Sequence, residues 1–599
     1  MGIPKFFSNI FEKYPKSHFV DKKFRTDVLL MDYNGFIYTA YREYFKQLTY
    51  EKFSKLTKSK REEKIVDFII KKTLEFVNEE VKPQEMLYIA IDGTVPRGKI
   101  NESRFRRYKA IKFQKYKEEL SADKTLDNLF PGSVNITPGS TFMSKLSDKL
   151  KKTISDKKFM NGKIKVIFSG ASVSGEGEHK ILPYLRSLKN TKKNYMLFSP
   201  DGDMIVLGLQ LNLNLFLIKE KDKTKRHEVK FYPDEKYFIF SFNSYKEFLQ
   251  EELKMKDENN NLFNDIVFLT FFIGNDFIRP ITFLKSNKWG VLTIVFNIYK
   301  NVKRRHQNSS LVNFDGDLPK VNYQFLRDMI YQFSQREDSM LKREYEGILK
   351  KVNQEPDETK YENTPTIEEK SEAYEHANYY LPYFIQGNIK EEYKIIRDNP
   401  NYQEGLHKTI DYSLEHDKWK LQYYSYYFDI NIGDGNEYHK MREVICMKYL
   451  ESLVYCLQYY LVGVPSWKWY YPFRAAPLPS DILYFMRNKS LNFKFKKSKP
   501  FTPLQQYMMV LPYQNIDLLP KQLQDLITDL NYPFYPYYPT DFKIDFLLGK
   551  KFVYAEPILP DFDDKLFESP IAKKKFKEIS KTNKNRDILD EEPFVFEDK

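Results

Sequence analysis

The chain has 599 residues, 42% hydrophobic and 30% charged, which means two to four folded units with sizeable cores and excludes a disordered, collagen-like or mucin-like chain. Its two cysteines, Cys446 and Cys456, exclude a disulfide framework and a four-thiolate zinc site. Lys and Arg outnumber Asp and Glu by 96 to 82, a formal charge of +14 that favours a polyanionic partner without identifying one. The apolar run at 266–273 is far too short to span a membrane and the N-terminus has no secretory apolar segment, so a membrane-free, cytoplasmic protein is expected.

In chain order, apolar runs at 28–31, 87–91, 164–168 and 195–198 read as short strands, and 62–78 and 180–188 carry helical spacing. Strands alternating with helices predict an α/β domain with a mainly parallel central sheet over 1–350, turning helical from about 317. Residues 351–376 are acidic and polar, with Pro356 and Pro365, and read as an exposed linker. A second, mostly helical and aromatic-rich region is expected over 377–570, and a flexible charged tail over 571–599.

Acids follow each apolar run. Asp32 follows the first and Asp92 the second. The third feeds a small-residue loop, 169–177, carrying Glu176, with Glu178 just beyond it. The fourth leads into Asp201 and Asp203, and the run at 266–273 ends in Gly274-Asn275-Asp276. A single strand-end aspartate is ordinarily a turn former or helix cap. Five acidic stations at strand ends would instead converge on one crevice, because open α/β sheets bind ligands beyond the carboxyl ends of their strands. Like charges so close raise one another's pKa. Hard divalent cations such as Mg²⁺ or Mn²⁺ resolve that conflict with oxygen ligands, and two of them can clamp an in-line phosphoryl displacement. His179 is the only histidine beside these acids, which argues against a histidine-rich zinc site.

After Asp92 come Arg97, Lys99, Arg104, Arg106, Arg107, Lys109, Lys112, Lys115 and Lys117, with Glu102 the only acid among them. Helical spacing puts Lys99, Ser103, Arg106 and Arg107 on one side. Such a face suits a terminal phosphate, for which Arg offers a bidentate fork.

The opening MGIPKFF, then MDYNGFIY, IDGTVPRGKINESRFRR, SGEGEHKI, SPDGDM and GNDF, and later YYLVGVPSWKWYYP, FTPLQQYMMVLP, YPTDF and ILPDFDDKLF, occur in the order of one family. The sequence resembles the Xrn/Rat-type 5′→3′ exoribonucleases over nearly the whole chain except the linker and tail. The resemblance implies a PIN/flap-nuclease-like domain plus a second helical region that completes the pocket. It makes Asp32, Asp92, Glu176, Glu178, Asp201, Asp203 and Asp276 the catalytic, metal-binding acids for two Mg²⁺ or Mn²⁺ ions, with Asn34 supporting them. It makes Lys99, Ser103, Arg106 and Arg107 the 5′-phosphate pocket, and Tyr38 with Trp467 or Trp469 the platforms that stack the first base. It further implies a monomer that processively degrades 5′-monophosphorylated single-stranded RNA to nucleoside 5′-monophosphates, in mRNA decay fed by decapping machinery.

Three positions depart from the family pattern. Tyr38 replaces a His, Ser103 replaces a Gln, and Phe473-Arg474-Ala475-Ala476-Pro477 replaces the usual YHYAP, so that Arg474 adds a charge on the expected RNA path. The long C-terminal extensions of the cytoplasmic type and any zinc knuckle are missing, as in a reduced, viral type of catalytic core. Two rival readings are a structure-specific flap-type DNA nuclease, which usually lacks the PSWKWYYP segment, and a non-catalytic RNA-binding scaffold, which should have lost acids that are all present here.

Overall fold

The computed structural model describes residues 10, 13–21, 23–120, 126–189, 192–221, 232, 235–256, 261–284, 290–306, 309–352, 410–545 and 556–597. Its centre is an eight-stranded sheet in the order β1-β7-β6-β5-β2-β3-β4-β12. The strands are β1 (His18–Phe19), β2 (Val28–Asp32), β3 (Met86–Ala90), β4 (Lys165–Ser169), β5 (Tyr195–Phe198), β6 (Leu215–Glu220), β7 (Tyr237–Ser241) and, far along the chain, β12 (Phe594–Phe596). Between β7 and β12 come two short separate pairs, β8 (Val312–Asp315) with β9 (Leu318–Val321) and β10 (Ile544–Asp545) with β11 (Glu556–Pro557). The block β6-β5-β2-β3-β4 is parallel, and the strands outside it pair antiparallel. The inner strands β2, β3 and β5 are buried at every position, which is why they read as unbroken apolar runs rather than alternating ones. The expected fold class is thereby borne out: a mainly parallel sheet flanked by helices, with a helical second region.

Strand order reverses between β2 and β5, since β3 and β4 lie to one side of β2 and β5 and β6 to the other. Such a switch point opens a crevice at the carboxyl ends. The register keeps those ends level: Met31 sits beside Phe198 and Ile89, and Ile89 beside Phe168.

Six helices place the side chains discussed below: α1 (Tyr33–Phe45), α2 (Arg97–Leu120), α3 (Gly177–Ser187), α4 (Asp203–Leu209), α5 (Asn261–Phe271) and α6 (Gly435–Leu461). One face of the sheet packs Leu29, Met31, Leu87, Ile89 and Phe168 into a core closed by α1 and its neighbours. The other face, with Leu30, Tyr88 and Leu197, shares one continuous core with Tyr449, Tyr455 and Tyr459 of α6. A third cluster joins Val95 and Ile100 to Leu504, Tyr507 and Phe567. The sheet-bearing half and the second region are therefore built around common cores.

Three expectations are corrected. The run at 266–273 is not a strand: 266–271 close helix α5 and 272–273 form the turn after it; every residue of α5 from Leu262 onward is buried, and a helix buried all round carries no period that distinguishes it from a buried strand. The stretch after 311 begins with a hairpin, β8 (Val312–Asp315) and β9 (Leu318–Val321), before turning helical. The tail is ordered: Pro570–Glu578 and Lys581–Asn585 are helices and β12 pairs with β4. Apolar residues spaced through its charges, such as Ala572 and Ile579, are buried and anchor it. Of the expected linker, 353–376 lies outside the described residues, and 351–352 end the helix Glu337–Val352. Among the described residues no helix is long and apolar enough to cross a membrane.

Candidate active site

Asp32 is the last residue of β2 and Asp92 stands two residues beyond β3, so both leave the sheet at the crevice. Glu176 caps α3 and Glu178 lies in its first turn. Ligand oxygens of Asp32, Asp92 and Glu178 fall within 4.8 Å of one another, and the same holds for ligand atoms of Glu176, Glu178 and His179. Gly177 must be glycine for this to happen, because a Cβ there would lie 2.5 Å from Asp32 Oδ1.

Hydrogen bonds fix the carboxylates. Asn34 donates Nδ2–H to Asp92 Oδ2 at 2.7 Å and accepts from the Asp92 backbone N–H at 3.2 Å. Gly177 N–H donates to Asp92 Oδ1 at 2.7 Å. Ser199 donates to Asp32 Oδ2 at 2.9 Å and accepts from Asp201 N–H at 3.2 Å, so one hydroxyl links the first and fourth acidic stations. Asp203 opens α4. Asp276 follows an Asn275 turn whose Oδ1 accepts from the N–H groups of Phe277 and Ile278; it reaches the site from the end of a helix.

The electrostatics are those of a frustrated acidic cluster. Burial, then repulsion from Asp92 and Asp201, holds Asp32 well above the ordinary carboxylate range. Burial and Glu176 raise Asp92. Burial, then Glu176 and Asp32, push Glu178 well up. Burial also favours a neutral Glu176, but the Lys99 ammonium 2.5 Å away wins and draws it below its ordinary value. Lys99 ion-pairs with Asp276 as well and holds it low against burial. Lys99 thus sits between two of the acids, joining the cluster to the basic helix.

On α2 the remaining cations divide into two groups. Arg106 Nη2 donates to Ser103 Oγ at 3.3 Å, and Arg107 donates to Ser103 O at 3.0 Å and Thr137 Oγ1 at 2.6 Å. Burial pushes Arg107 down to about 10, and among the described residues its Nε is buried without a partner. Arg97, Arg104 and Lys112 instead anchor the helix to the second region. Arg97 Nη2 donates to Phe562 O at 2.7 Å, Arg104 Nη1 to Pro560 O at 2.6 Å, and Lys112 pairs with Asp541 at 2.5 Å.

Among the aromatic candidates, Trp469 stacks on Tyr455 with ring centroids 4.2 Å apart and packs against Phe495. The Trp467 backbone is pinned, its carbonyl accepting from Arg97 N–H at 2.8 Å and its N–H donating to Ser498 Oγ at 2.9 Å. Its ring makes no aromatic contact among the described residues. Tyr38 is half-buried on α1, with its ring beside Tyr41 and Arg42, and its hydroxyl lies within electrostatic reach of Arg106 and Arg107. Arg474 is not a free charge on the path: it ion-pairs with the buried Asp545.

Three residues of the site carry weak signals in the sequence or none. Tyr459 of α6 donates its hydroxyl to Glu176 Oε2 at 2.6 Å. His179 packs its ring 3.9 Å from that of Tyr459, and burial pushes its pKa down to about 3, leaving a neutral imidazole beside Glu176 and Glu178. Lys180 is buried beneath the cluster, pushed down to about 7 by desolvation, and donates to Ile91 O at 2.6 Å and Gly170 O at 2.9 Å. It ties the end of β3 to the loop that carries Glu176. Lys180→Met is expected to destabilise the fold, because each carbonyl left dry costs about 1–3 kcal/mol. Urea unfolding measures this, and a gain in stability would mean that the buried charge outweighs the two hydrogen bonds.

Comparison with known proteins agrees with this geometry. Residues 1–221 match the family model described as XRN 5'-3' exonuclease N-terminus, and residues 256–598 match the Xrn1 helical domain. The chain is 27% identical to 5'-3' exoribonuclease 1 of Schizosaccharomyces pombe over 96% of its own length and 49% of that protein's. It is 29% identical to the 5'-3' exoribonuclease 2 homolog of Drosophila melanogaster, covering 81% and 60%, and 28% identical to human 5'-3' exoribonuclease 1, covering 94% and 33%. The chain thus spans about half the length of the curated relatives it matches. With both halves of the family pattern matched in order on one shared core, the chain belongs to the XRN 5'-3' exonuclease family.

Proposed function

We propose that the chain is a divalent-metal-dependent, processive 5′→3′ exoribonuclease that takes 5′-monophosphorylated single-stranded RNA and releases nucleoside 5′-monophosphates. The observation that carries this reading is the junction of a buried acid cluster with a cationic helix face, made by Lys99 between Glu176 and Asp276. The donor set fits Mg²⁺ or Mn²⁺: it is almost all carboxylate oxygen, with His179 the one nitrogen, and three of its acids are held above their ordinary pKa, a strain that a hard cation relieves. Asp32, Asp92, Glu176 and Glu178 would hold two such ions, with Asp201, Asp203 and Asp276 completing the set. Bound there, the ions supply an activated water and charge stabilisation for the leaving 3′-oxygen.

The chain's own groups do the rest. Asn34, Gly177 N–H and Ser199 orient the carboxylates. Arg106 and Arg107, half-buried and with donors to spare, receive the 5′-phosphate. Messenger RNA freed of its cap in the cytoplasm is the substrate source that best suits such a pocket. Trp467, with its backbone pinned and its ring outside the local aromatic packing, is the better platform for a base, and Tyr38 the opposing one. Trp467→Ala should weaken RNA binding by about 1–3 kcal/mol, the usual worth of one base–aromatic stack. Trp469→Ala should chiefly lower the melting temperature, because it empties a place beside Tyr455 and Phe495. Fluorescence anisotropy alongside thermal unfolding separates the two, and the reverse pattern would exchange the roles. The whole reading is tested by offering one labelled RNA with monophosphate, triphosphate or capped 5′ ends, with Mg²⁺ or chelator, and flapped DNA as a control. Release of 5′-mononucleotides from the monophosphate RNA alone is expected.

A further inference from the structure

The loop at 169–177 sets where Glu176 and Glu178 stand, yet its sequence, Ser-Gly-Ala-Ser-Val-Ser-Gly-Glu-Gly, offers little to hold itself. Small residues and three glycines leave the backbone free to adopt many conformations. Its inner side leans on the segment after β3: Gly93 N–H donates to Gly175 O at 2.8 Å, Gly175 N–H to Thr94 O at 2.7 Å, and Thr94 Oγ1 to Ser174 Oγ at 3.0 Å. The approach is so close that a Cβ on Gly93 would lie 1.7 Å from Val173 O. Its outer side is held by the far end of the chain. Asp590 N–H donates to Ser172 O at 2.9 Å, Ser172 Oγ donates to Asp590 Oδ2 at 2.5 Å, and Val173 and Asp590 form a parallel bridge.

The segment carrying Asp590 is itself fixed on both sides. Before it, Arg586 donates Nε–H to Gly139 O at 2.8 Å and Nη2–H to Leu518 O at 3.1 Å, while Asp587 accepts from Leu504 N–H at 2.7 Å. After it, β12 pairs with β4 at Phe594–Phe168 and Phe596–Val166, and Glu597 pairs with Lys165 at 3.0 Å. Asp590 thus hangs between two anchors and, among the described residues, makes its hydrogen bonds with the loop at Ser172, four residues upstream of Glu176.

We propose that residues 586–597 act as a strap that sets the active-site loop, with Ser172 and Asp590 as positioning residues for Glu176 and Glu178. The inference rests on the metal-dependent reading of the acids, and its test separates the two. Positioning contacts behind metal ligands typically govern 10–100-fold in metal affinity or activity, because a carboxylate displaced by a fraction of an ångström no longer meets its ion.

The experiment measures Mn²⁺ binding by electron paramagnetic resonance without RNA, hydrogen exchange of 170–177, and kcat and KM on monophosphate RNA. Asp590→Ala should weaken Mn²⁺ binding and lower kcat by about 10–100-fold, leave KM unchanged and speed exchange in the loop. Asp590→Asn keeps the backbone donor and an acceptor for the Ser172 hydroxyl, and should behave as the parent protein. Should Asp590→Ala fail to fold, Ser172→Ala carries the same expectations in weaker form. Parent-like Mn²⁺ binding and exchange in the Ala variants would overturn the strap, as would an Asp590→Asn variant as impaired as Asp590→Ala. If the parent protein binds no Mn²⁺, the metal reading falls, and the exchange data alone decide whether the strap orders the loop.

Discussion

Glu178→Gln should abolish hydrolysis, by about 10²–10³-fold or more, and at the same time raise the melting temperature of the protein in chelator. Both effects come from one charge. Glu178 is half-buried among Glu176, Asp32 and Asp92, and its folded pKa stands well above the ordinary value. A carboxyl raised in this way contributes stability that is present below its unfolded pKa and is lost as pH climbs through the folded value. At neutral pH without metal the ionised group therefore works against the fold, and an uncharged isostere relieves it. The gain from the substitution should grow as pH rises from acid toward neutral. Divalent cation reverses the order: the parent protein gains RT ln(1 + [L]/Kd), about 2.7 kcal/mol at a hundredfold excess over Kd, and the Gln variant gains less. Parallel Mg²⁺ titrations of melting temperature and turnover check this. A variant that cuts RNA at the parent rate, or one less stable than the parent in chelator, would remove Glu178 from the metal set.

The second large effect concerns the 5′ end. Arg106→Ala with Arg107→Ala should remove most of the preference for a monophosphate over a triphosphate or cap. Charge-assisted hydrogen bonds are worth about 1.5–3 kcal/mol each, so losing two corresponds to roughly 10²–10⁴-fold in kcat/KM. Arg107 is the more telling of the pair. Its guanidinium is depressed by burial to about 10, its forks rest on the neutral oxygens of Ser103 and Thr137, and no ion pair is recorded for it among the described residues. A half-buried cation whose Nε is sealed from solvent and whose acceptors are neutral suits an anion. Inorganic phosphate should therefore raise the melting temperature of the parent protein and leave the double variant unmoved. Equal rates on all three ends in the parent protein would reduce the Arg106–Arg107 face to a solvated helix.

Much of this was legible in the sequence, for reasons that differ between elements. Strands β2, β3, β4 and β5 were readable because parallel strands buried on both faces must be apolar throughout, and their acids were readable because each stands where such a run stops. The same logic misread α5: the second half of a helix sealed in the core is also almost wholly apolar, so Asp276 looked like a fifth strand-end acid. The basic face of α2 was visible by spacing, but not its split into Arg106 and Arg107 beside Ser103 and Thr137 against Arg97, Arg104 and Lys112 at the second region, because the partners of the latter three lie hundreds of residues away. Tyr459 was hidden among the many tyrosines of α6, and Lys180 looked like any helical lysine until its two carbonyl acceptors were placed. Arg474 read as a free charge because nothing local announces Asp545 as its partner.

The anchoring of α2 also bears on when the site can exist during synthesis. Arg97 is fully buried and finds its acceptor at Phe562, 465 residues later. At about 5–20 residues per second, the ribosome needs roughly 20–90 s to cover that distance. Strands β2 to β5 and their acids are complete long before then, but α2 must wait with buried guanidinium groups whose partners have not been made. Leaving a charge dry is too costly for the helix to settle early, so a nascent chain holds the acids of β2 to β5 before α2 is docked beside them. Docking of α2 is therefore expected only once residues 560–562, which carry the acceptors of Arg104 and Arg97, have emerged.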